Sequence, residues 1–136
     1  MPVFQGAGVA LITPFQEDKS IDYEKLECMV ERQIKGKTDA IIVCGTTGEP
    51  ATMTAEERTE VVRFVIAKTA HRIPVIVGTG ANCTQTAVDL TMQAEKLGAD
   101  GVLVVTPYYN KATQEGLLAH YKAVADSVTL PVIMYN

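Results

Sequence analysis

The chain has 136 residues, of which 47% are apolar and 21% charged, with a formal net charge of −4 and a pI near 5.1. This length and composition suit one compact soluble domain, residues 1–136, and exclude an intrinsically disordered chain. No cluster of Lys or Arg offers a face to nucleic-acid phosphates, and the longest apolar runs, about five or six residues, fall far below the ~20 needed to cross a bilayer.

The opening MPVFQGAG has no basic stretch leading into an apolar one, so no secretory leader is read here. The first apolar run, GVALIT (8–13), ends in Thr13-Pro14. Asp22 then caps a helix whose buried stripe is Tyr23, Leu26, Val30 and Ile34. A second run, AIIVCG (40–45), leads into Gly45-Thr46-Thr47-Gly48-Glu49. Thr54 and Glu57 make a capping box, and Val61, Val62, Val65 and Ile66 form the stripe of a second helix.

The third run, PVIVGTG (74–80), is followed by Ala81-Asn82 and by a helix from about Thr84. That helix buries Ala87, Leu90, Ala94 and Leu97, with Gly98 placed as its C′ glycine. A fourth run, GVLVVT (101–106), opens into Pro107-Tyr108-Tyr109-Asn110. A helix from about Thr113 carries Leu117, Tyr121, Val124 and Val128 inward and is ended by Pro131. The last run, PVIMY (131–135), finishes on Tyr135-Asn136.

Continuous apolar runs, rather than alternating ones, predict parallel strands covered on both faces. The order βαβαβαβαβ, at roughly 30 residues per unit, fits either a five-stranded doubly wound sheet or part of a (β/α)8 TIM barrel, which takes about 250 residues. Length favours the former. The strand ends favour the latter, because all five carry Gly, Thr, Tyr or Asn and a barrel gathers its loops round one mouth. The fold class read here is α/β, the first half of a (β/α)8 TIM barrel with five parallel strands and four helices.

The loops point to a small-acid site. Gly45 and Gly48 would let the backbone turn tightly beside a ligand. Thr46 and Thr47 offer two hydroxyls and two amides to a carboxylate. The glycine spacing matches neither a P-loop nor a dinucleotide fingerprint. Tyr108, Tyr109 and Tyr135 put phenols at strand ends, where a phenol beside a hydroxyl can relay protons in carbonyl chemistry. Cys28, Cys44 and Cys83 lack metal-ligand spacing and read as reduced thiols of a cytoplasmic protein; no metal or cofactor is expected.

GTTGEPATMTAEER, PVIVGTGAN, VTPYYNKATQEGL and LPVIMYN together resemble the dihydrodipicolinate synthase family, from about Phe4 to Asn136. Related pyruvate-dependent aldolases such as N-acetylneuraminate lyase are the nearest alternative. The resemblance implies a Schiff-base lyase of lysine biosynthesis that joins pyruvate to aspartate semialdehyde. By it, Thr47 holds the pyruvate carboxylate, while Thr46, Tyr109 and Tyr135 form the proton relay. Tyr135 is then the general acid/base, Tyr109 reaches a partner subunit's site, and Tyr108 lies at that dimer interface.

The family's Schiff-base lysine belongs to a sixth strand and its entrance arginine follows the fifth, so neither is expected within residues 1–136. Lys111 and Lys122 do not replace the lysine, one solvated and the other on a helix away from the strand ends. The chain alone is therefore expected to be inactive, and to self-associate through the open edges of its first and fifth strands. A complete five-stranded module that binds a small acid without chemistry is the other reading. Asn82 and Tyr108 fit the family's lysine-feedback site, but Ala55, Arg58 and Thr86 replace its histidines and glutamate, so no feedback inhibition is expected.

Overall fold

The structure is a computed structural model that describes residues 2–136. Five parallel strands, β1 (Gly8–Ala10), β2 (Ala40–Val43), β3 (Val75–Gly78), β4 (Gly101–Val105) and β5 (Val132–Tyr135), alternate with four helices, α1 (Tyr23–Lys35), α2 (Ala55–Thr69), α3 (Thr84–Leu97) and α4 (Gln114–Asp126). The strands lie side by side in chain order, every neighbouring pair parallel. A doubly wound sheet reverses its strand order at a switch point. This sheet has none, so its progression is that of the first half of a TIM barrel.

The two faces of the sheet differ. Leu11, Ile41, Val43, Val75, Val77, Val102 and Val104 point outward, into one core with Leu26, Val30, Val61, Val62, Val65, Ala87, Ala94 and Val124 of the helices. Residues one step along each strand point to the concave side. There Ala10, Ile42, Ile76 and Gly101 make one layer, and Gly78, Leu103 and Ile133 the next. The first of these layers is closed at its base, where the built Cβ position of Gly8 meets Phe4 and that of Gly101 meets Ile76 and Val3. Continuous apolar strands were expected to be covered on both faces. Instead Ala10 is exposed and Ile42, Leu103, Val105 and Ile133 are only half-buried, because their side of the sheet forms the wall of a cavity.

Caps set the helix starts. The Asp22 carboxylate accepts from Lys25 N at 2.9 Å. Thr54 and Glu57 form the anticipated capping box, with bonds of 3.1 and 2.8 Å. Gly98 ends α3 at φ +89°, donating back to Ala94 and Glu95 carbonyls. Helix α4 ends earlier than its apolar pattern suggests, at Asp126, so Val128 lies outside it. Ser127 Oγ turns back onto the Val124 carbonyl at 2.7 Å, and the Glu95 carboxylate takes both Thr129 N and Thr129 Oγ at 2.7 Å. These bonds draw the segment onto the end of α3 before Pro131 is reached.

His120 was not among the residues expected to be buried, yet it is 4% exposed. Its Nδ1 lies 3.0 Å from Thr84 Oγ, which ties α4 to the first turn of α3. Leu90 and Leu97 are only half-buried, while Thr91 takes a core position by donating its hydroxyl to that of Thr79 at 2.8 Å.

One close approach is intolerant of any side chain. A Cβ on Gly78 would lie 2.3 Å from the carbonyl oxygen of Cys44 and 2.8 Å from Gly45 Cα, both backbone atoms. Gly78→Ala is expected to destabilise the domain by about 1–3 kcal/mol or more through overpacking, read as a lowered urea midpoint at unchanged slope. A wild-type midpoint would mean that β2 and β3 do not meet this closely.

Candidate active site at the strand ends

Beyond the C-terminal ends of the strands lies a cavity of about 410 Å³. Its walls come from each strand or the loop after it: Ala10, Ile42, Gly78, Leu103 and Tyr135 are among the lining residues. Thr46, Thr47 and Tyr108 complete its polar rim. The structure thus brings together four of the five residues singled out from the sequence. Tyr109 is the exception. It is 93% exposed, stands outside the cavity lining, and packs edge-to-face with Tyr108 at a ring separation of 6.0 Å.

The threonine pair sits on a short 3-10 turn, Thr46–Gly48, closed by Gly48 N donating to Gly45 O at 2.8 Å and Glu49 N to Thr46 O at 3.0 Å. Gly45 is extended and Gly48 lies within the 3-10 turn, so neither glycine is left-handed. The left-handed residues are instead Cys44 (φ +55°) and Glu49 (φ +53°), which flank the turn. Gly48 is buried for another reason: its built Cβ would press on Leu11 O at 3.1 Å. Its carbonyl accepts the buried hydroxyl of Thr13 at 2.7 Å, which pins the turn onto the end of β1. Tyr109 is also left-handed, at φ +68°. Strained residues of this kind persist where surrounding contacts over-determine them, and they gather at functional sites.

Tyr135 ends β5 with its side chain 55% exposed in the cavity wall. Its backbone is firmly held. The carbonyl of Tyr135 accepts from Thr106 N at 2.9 Å and Thr106 Oγ at 3.2 Å. The Tyr121 hydroxyl lies 3.0 Å from Thr106 Oγ and within 3.5 Å of the carbonyls of Val104 and Tyr135. Tyr121 was read as one more residue of an apolar stripe; only the fold shows that its phenol braces the ends of β4 and β5. In the adjoining loop, Asn110 Nδ2 donates to Asn82 O at 2.8 Å, joining the tyrosine loop to the loop after β3.

Two lining residues carry electrostatics that the loop motifs did not reveal. Arg58, in the first turn of α2, reaches the end of β3 and donates from Nη2 to Gly78 O. Burial lowers its affinity for its proton, partly offset by the nearby Cys44 and Tyr108. Cys44 is 2% exposed, and burial pushes its thiol up to about 11, with Arg58 pulling the other way. Spacing had marked Cys44 only as a scattered thiol; it becomes a cavity residue because β2 ends beside α2. Among the described residues no three His, Cys, Asp or Glu side chains group as a metal site, and no helix is long and apolar enough to cross a membrane.

The sign of the Cys44 effect is fixed. The folded protein favours the neutral thiol, so this contribution to stability is complete below the ordinary thiol range and is lost as pH rises towards about 11. The stability difference between wild type and Cys44→Ala should therefore shrink across that window in urea titrations, and Cys44 should resist alkylation until the protein unfolds. Rapid labelling of native Cys44 near neutral pH would contradict this.

A family model described as the dihydrodipicolinate synthetase family matches residues 3–136. The chain is 56% identical, over all 136 residues, to the 4-hydroxy-tetrahydrodipicolinate synthase of Lachnoclostridium phytofermentans, of which it covers 46%. Identity to the synthase of Caldicellulosiruptor saccharolyticus is 57% over 136 residues, again 46% of that protein. The crystal structure of dihydrodipicolinate synthase from Aquifex aeolicus superposes with a TM-score of 0.94 at 55% identity, covering 98% of this chain and 45% of that one. The chain spans about half the length of the curated relatives it matches. The half-barrel with its hydroxyl-rimmed cavity belongs to the dihydrodipicolinate synthase family.

Proposed function

We propose that this chain contributes the keto-acid side of a Schiff-base lyase that condenses pyruvate with aspartate semialdehyde to 4-hydroxy-tetrahydrodipicolinate, in cytoplasmic lysine biosynthesis by the diaminopimelate route. The observation that carries this reading is the meeting of Thr46, Thr47 and Tyr135 on one cavity whose floor is apolar. Pyruvate has a carboxylate for the threonine hydroxyls and a methyl group for the wall of Ala10, Ile42, Leu103 and Val105. Thr47 takes the carboxylate, and Thr46 and Tyr135 hold the hydroxyls of the relay.

Condensation with an amine places a proton demand on the departing carbonyl oxygen, which must leave as water. Tyr135 is sited to meet it: its main chain is clamped by Thr106 while its phenol stays open to the cavity. Loss of a methyl proton then gives the enamine, whose carbon attacks the aldehyde. Among the described residues no lysine lines the cavity. Lys111 is exposed in the tyrosine loop, and Lys122 is held by Asp126 at 2.7 Å. The amine therefore comes from outside residues 2–136, and this chain by itself binds the acid without forming the imine.

Tyr109 fits a role in an assembly. A strained, 93% exposed tyrosine held away from its own cavity suits insertion into a second copy, where it would complete the relay, with Tyr108 packed at the junction. Exposed Ile12, Leu118 and Met134 add apolar surface for association.

Borohydride reduction of this chain with pyruvate should add no mass; an adduct on Lys111 or Lys122 would overturn the assignment of the amine. When the chain is combined with the remaining half of a close relative, condensation should appear, and Tyr135→Phe should lower its rate about 10²-fold or more with little change in pyruvate binding. Thr47→Val should instead weaken pyruvate binding. Sedimentation should show self-association that Tyr109→Ala weakens, and a monodisperse monomer would remove the role given to Tyr109.

A further inference from the structure

Met134 and Tyr135 are neighbours on β5 and, by strand alternation, face opposite sides of the sheet. Tyr135 lines the cavity that holds Thr46 and Thr47. Met134 lines a different hollow, together with Thr106, Leu117 and Tyr121. Neither Thr106 nor Tyr121 is among the residues lining the Tyr135 cavity. Any influence of Tyr121 on the site therefore passes through the main chain of β5.

That link is made of hydroxyls. Thr106 follows the last residue of β4 and clamps the Tyr135 carbonyl twice, through its amide at 2.9 Å and its hydroxyl at 3.2 Å. The Thr106 hydroxyl has one hydrogen; with that hydrogen on the carbonyl, it accepts from the Tyr121 phenol 3.0 Å away. The phenol also stands 3.3 Å from the Val104 carbonyl and 3.5 Å from that of Tyr135. At 3.2 Å the Thr106 hydroxyl bond is long for an O–H···O pair, where about 2.7–2.8 Å is usual. Such a bond gains from a second hydroxyl that orients and polarises it. Tyr121 is half-buried on α4, so this orientation comes from outside the sheet.

We propose that Tyr121 is a positioning residue for the phenol of Tyr135. Its hydroxyl, through Thr106, fixes the main chain at the end of β5 and with it the place of that phenol in the cavity. The chemistry so served rests on the Schiff-base reading above; the placement does not. A ring without the hydroxyl would fill the same space between α4 and the sheet, and would leave the Thr106 hydroxyl to hold the carbonyl unaided.

The test is NMR of the 136-residue chain with isotope-labelled tyrosine rings, the Tyr135 signal being identified by its loss in Tyr135→Phe. Tyr121→Phe should move that signal and speed hydrogen exchange of the Thr106 amide about fivefold, the effect of losing one hydrogen bond, while the amides of Thr46 and Thr47 stay in place. Thr106→Val should act in the same way, and Thr106→Ser should keep the wild-type signal. Adding Tyr121→Phe to Thr106→Val should change nothing further, because the two hydroxyls act in one chain. In the lyase formed with the remaining half of a close relative, Tyr121→Phe should lower kcat about fivefold at unchanged pyruvate KM.

A Tyr135 signal unmoved in a folded Tyr121→Phe, additive effects in the double variant, or exchange that rises equally across the sheet would each overturn the proposal. Wild-type kcat in Tyr121→Phe, where Tyr135→Phe is slow, would overturn it too. Circular dichroism checks that each variant folds; if Tyr121→Phe does not, Thr106→Val against Thr106→Ser decides. If the combined halves form no product, the Schiff-base reading fails and the ring signal alone decides the placement.

Discussion

The contact between the ends of β2 and β3 organises the cavity. The Cys44 carbonyl lies where a side chain on residue 78 would be, so the two backbones meet without any side chain between them. Cys44 takes a left-handed conformation there, and the chain swings from the strand into the turn that carries Thr46 and Thr47. Thr13 holds the far side of that turn through Gly48, and the Gly78 carbonyl becomes the rest for Arg58. A single steric constraint thereby sets the positions of the hydroxyl pair, the thiol and the guanidinium.

The opposite wall is built by hydrogen bonds. Tyr121 and Thr106 close a small network on the Tyr135 carbonyl, so the last strand presents its phenol from an anchored main chain. His120 packs edge-on against Tyr121, with ring centroids 5.4 Å apart, and carries the same brace to Thr84. Asn110 adds the link from the tyrosine loop to the loop after β3. The phenol at 135 is consequently supported from α4, whereas the turn that carries Thr46 and Thr47 is held by Thr13, just past the end of β1.

Most of the architecture was legible in the residues. Runs such as AIIV and GVLVV are too short and too β-branched for helices. The capping box at Thr54 and the glycine at 98 mark helix limits by local hydrogen bonding and a positive φ. Where the reading missed, the cause was a contact remote in sequence. Helix α4 stops at Asp126 because Glu95, on another helix, takes the amide and hydroxyl of Thr129. Gly45 and Gly48 were read as allowing a tight turn, and they bound one, closed by Gly48 N donating to Gly45 O. The left-handed angles fall on Cys44 and Glu49, which flank that turn, while Gly48 lets it approach the Leu11 carbonyl.

By itself, then, the sequence determined the strand and helix order, the cap positions and the polar loops that follow each strand. These depend on periodicity and on interactions within a few residues. Only the tertiary structure decided which of those loop residues share a cavity and which stand apart from it. It put Thr46, Thr47, Tyr108 and Tyr135 on one rim and left Tyr109 outside. It also turned Arg58, Cys44 and Tyr121 from ordinary stripe and helix positions into parts of the site. Their roles depend on which backbone each side chain meets across the sheet, a relation set by strand register and helix packing and not by any local pattern.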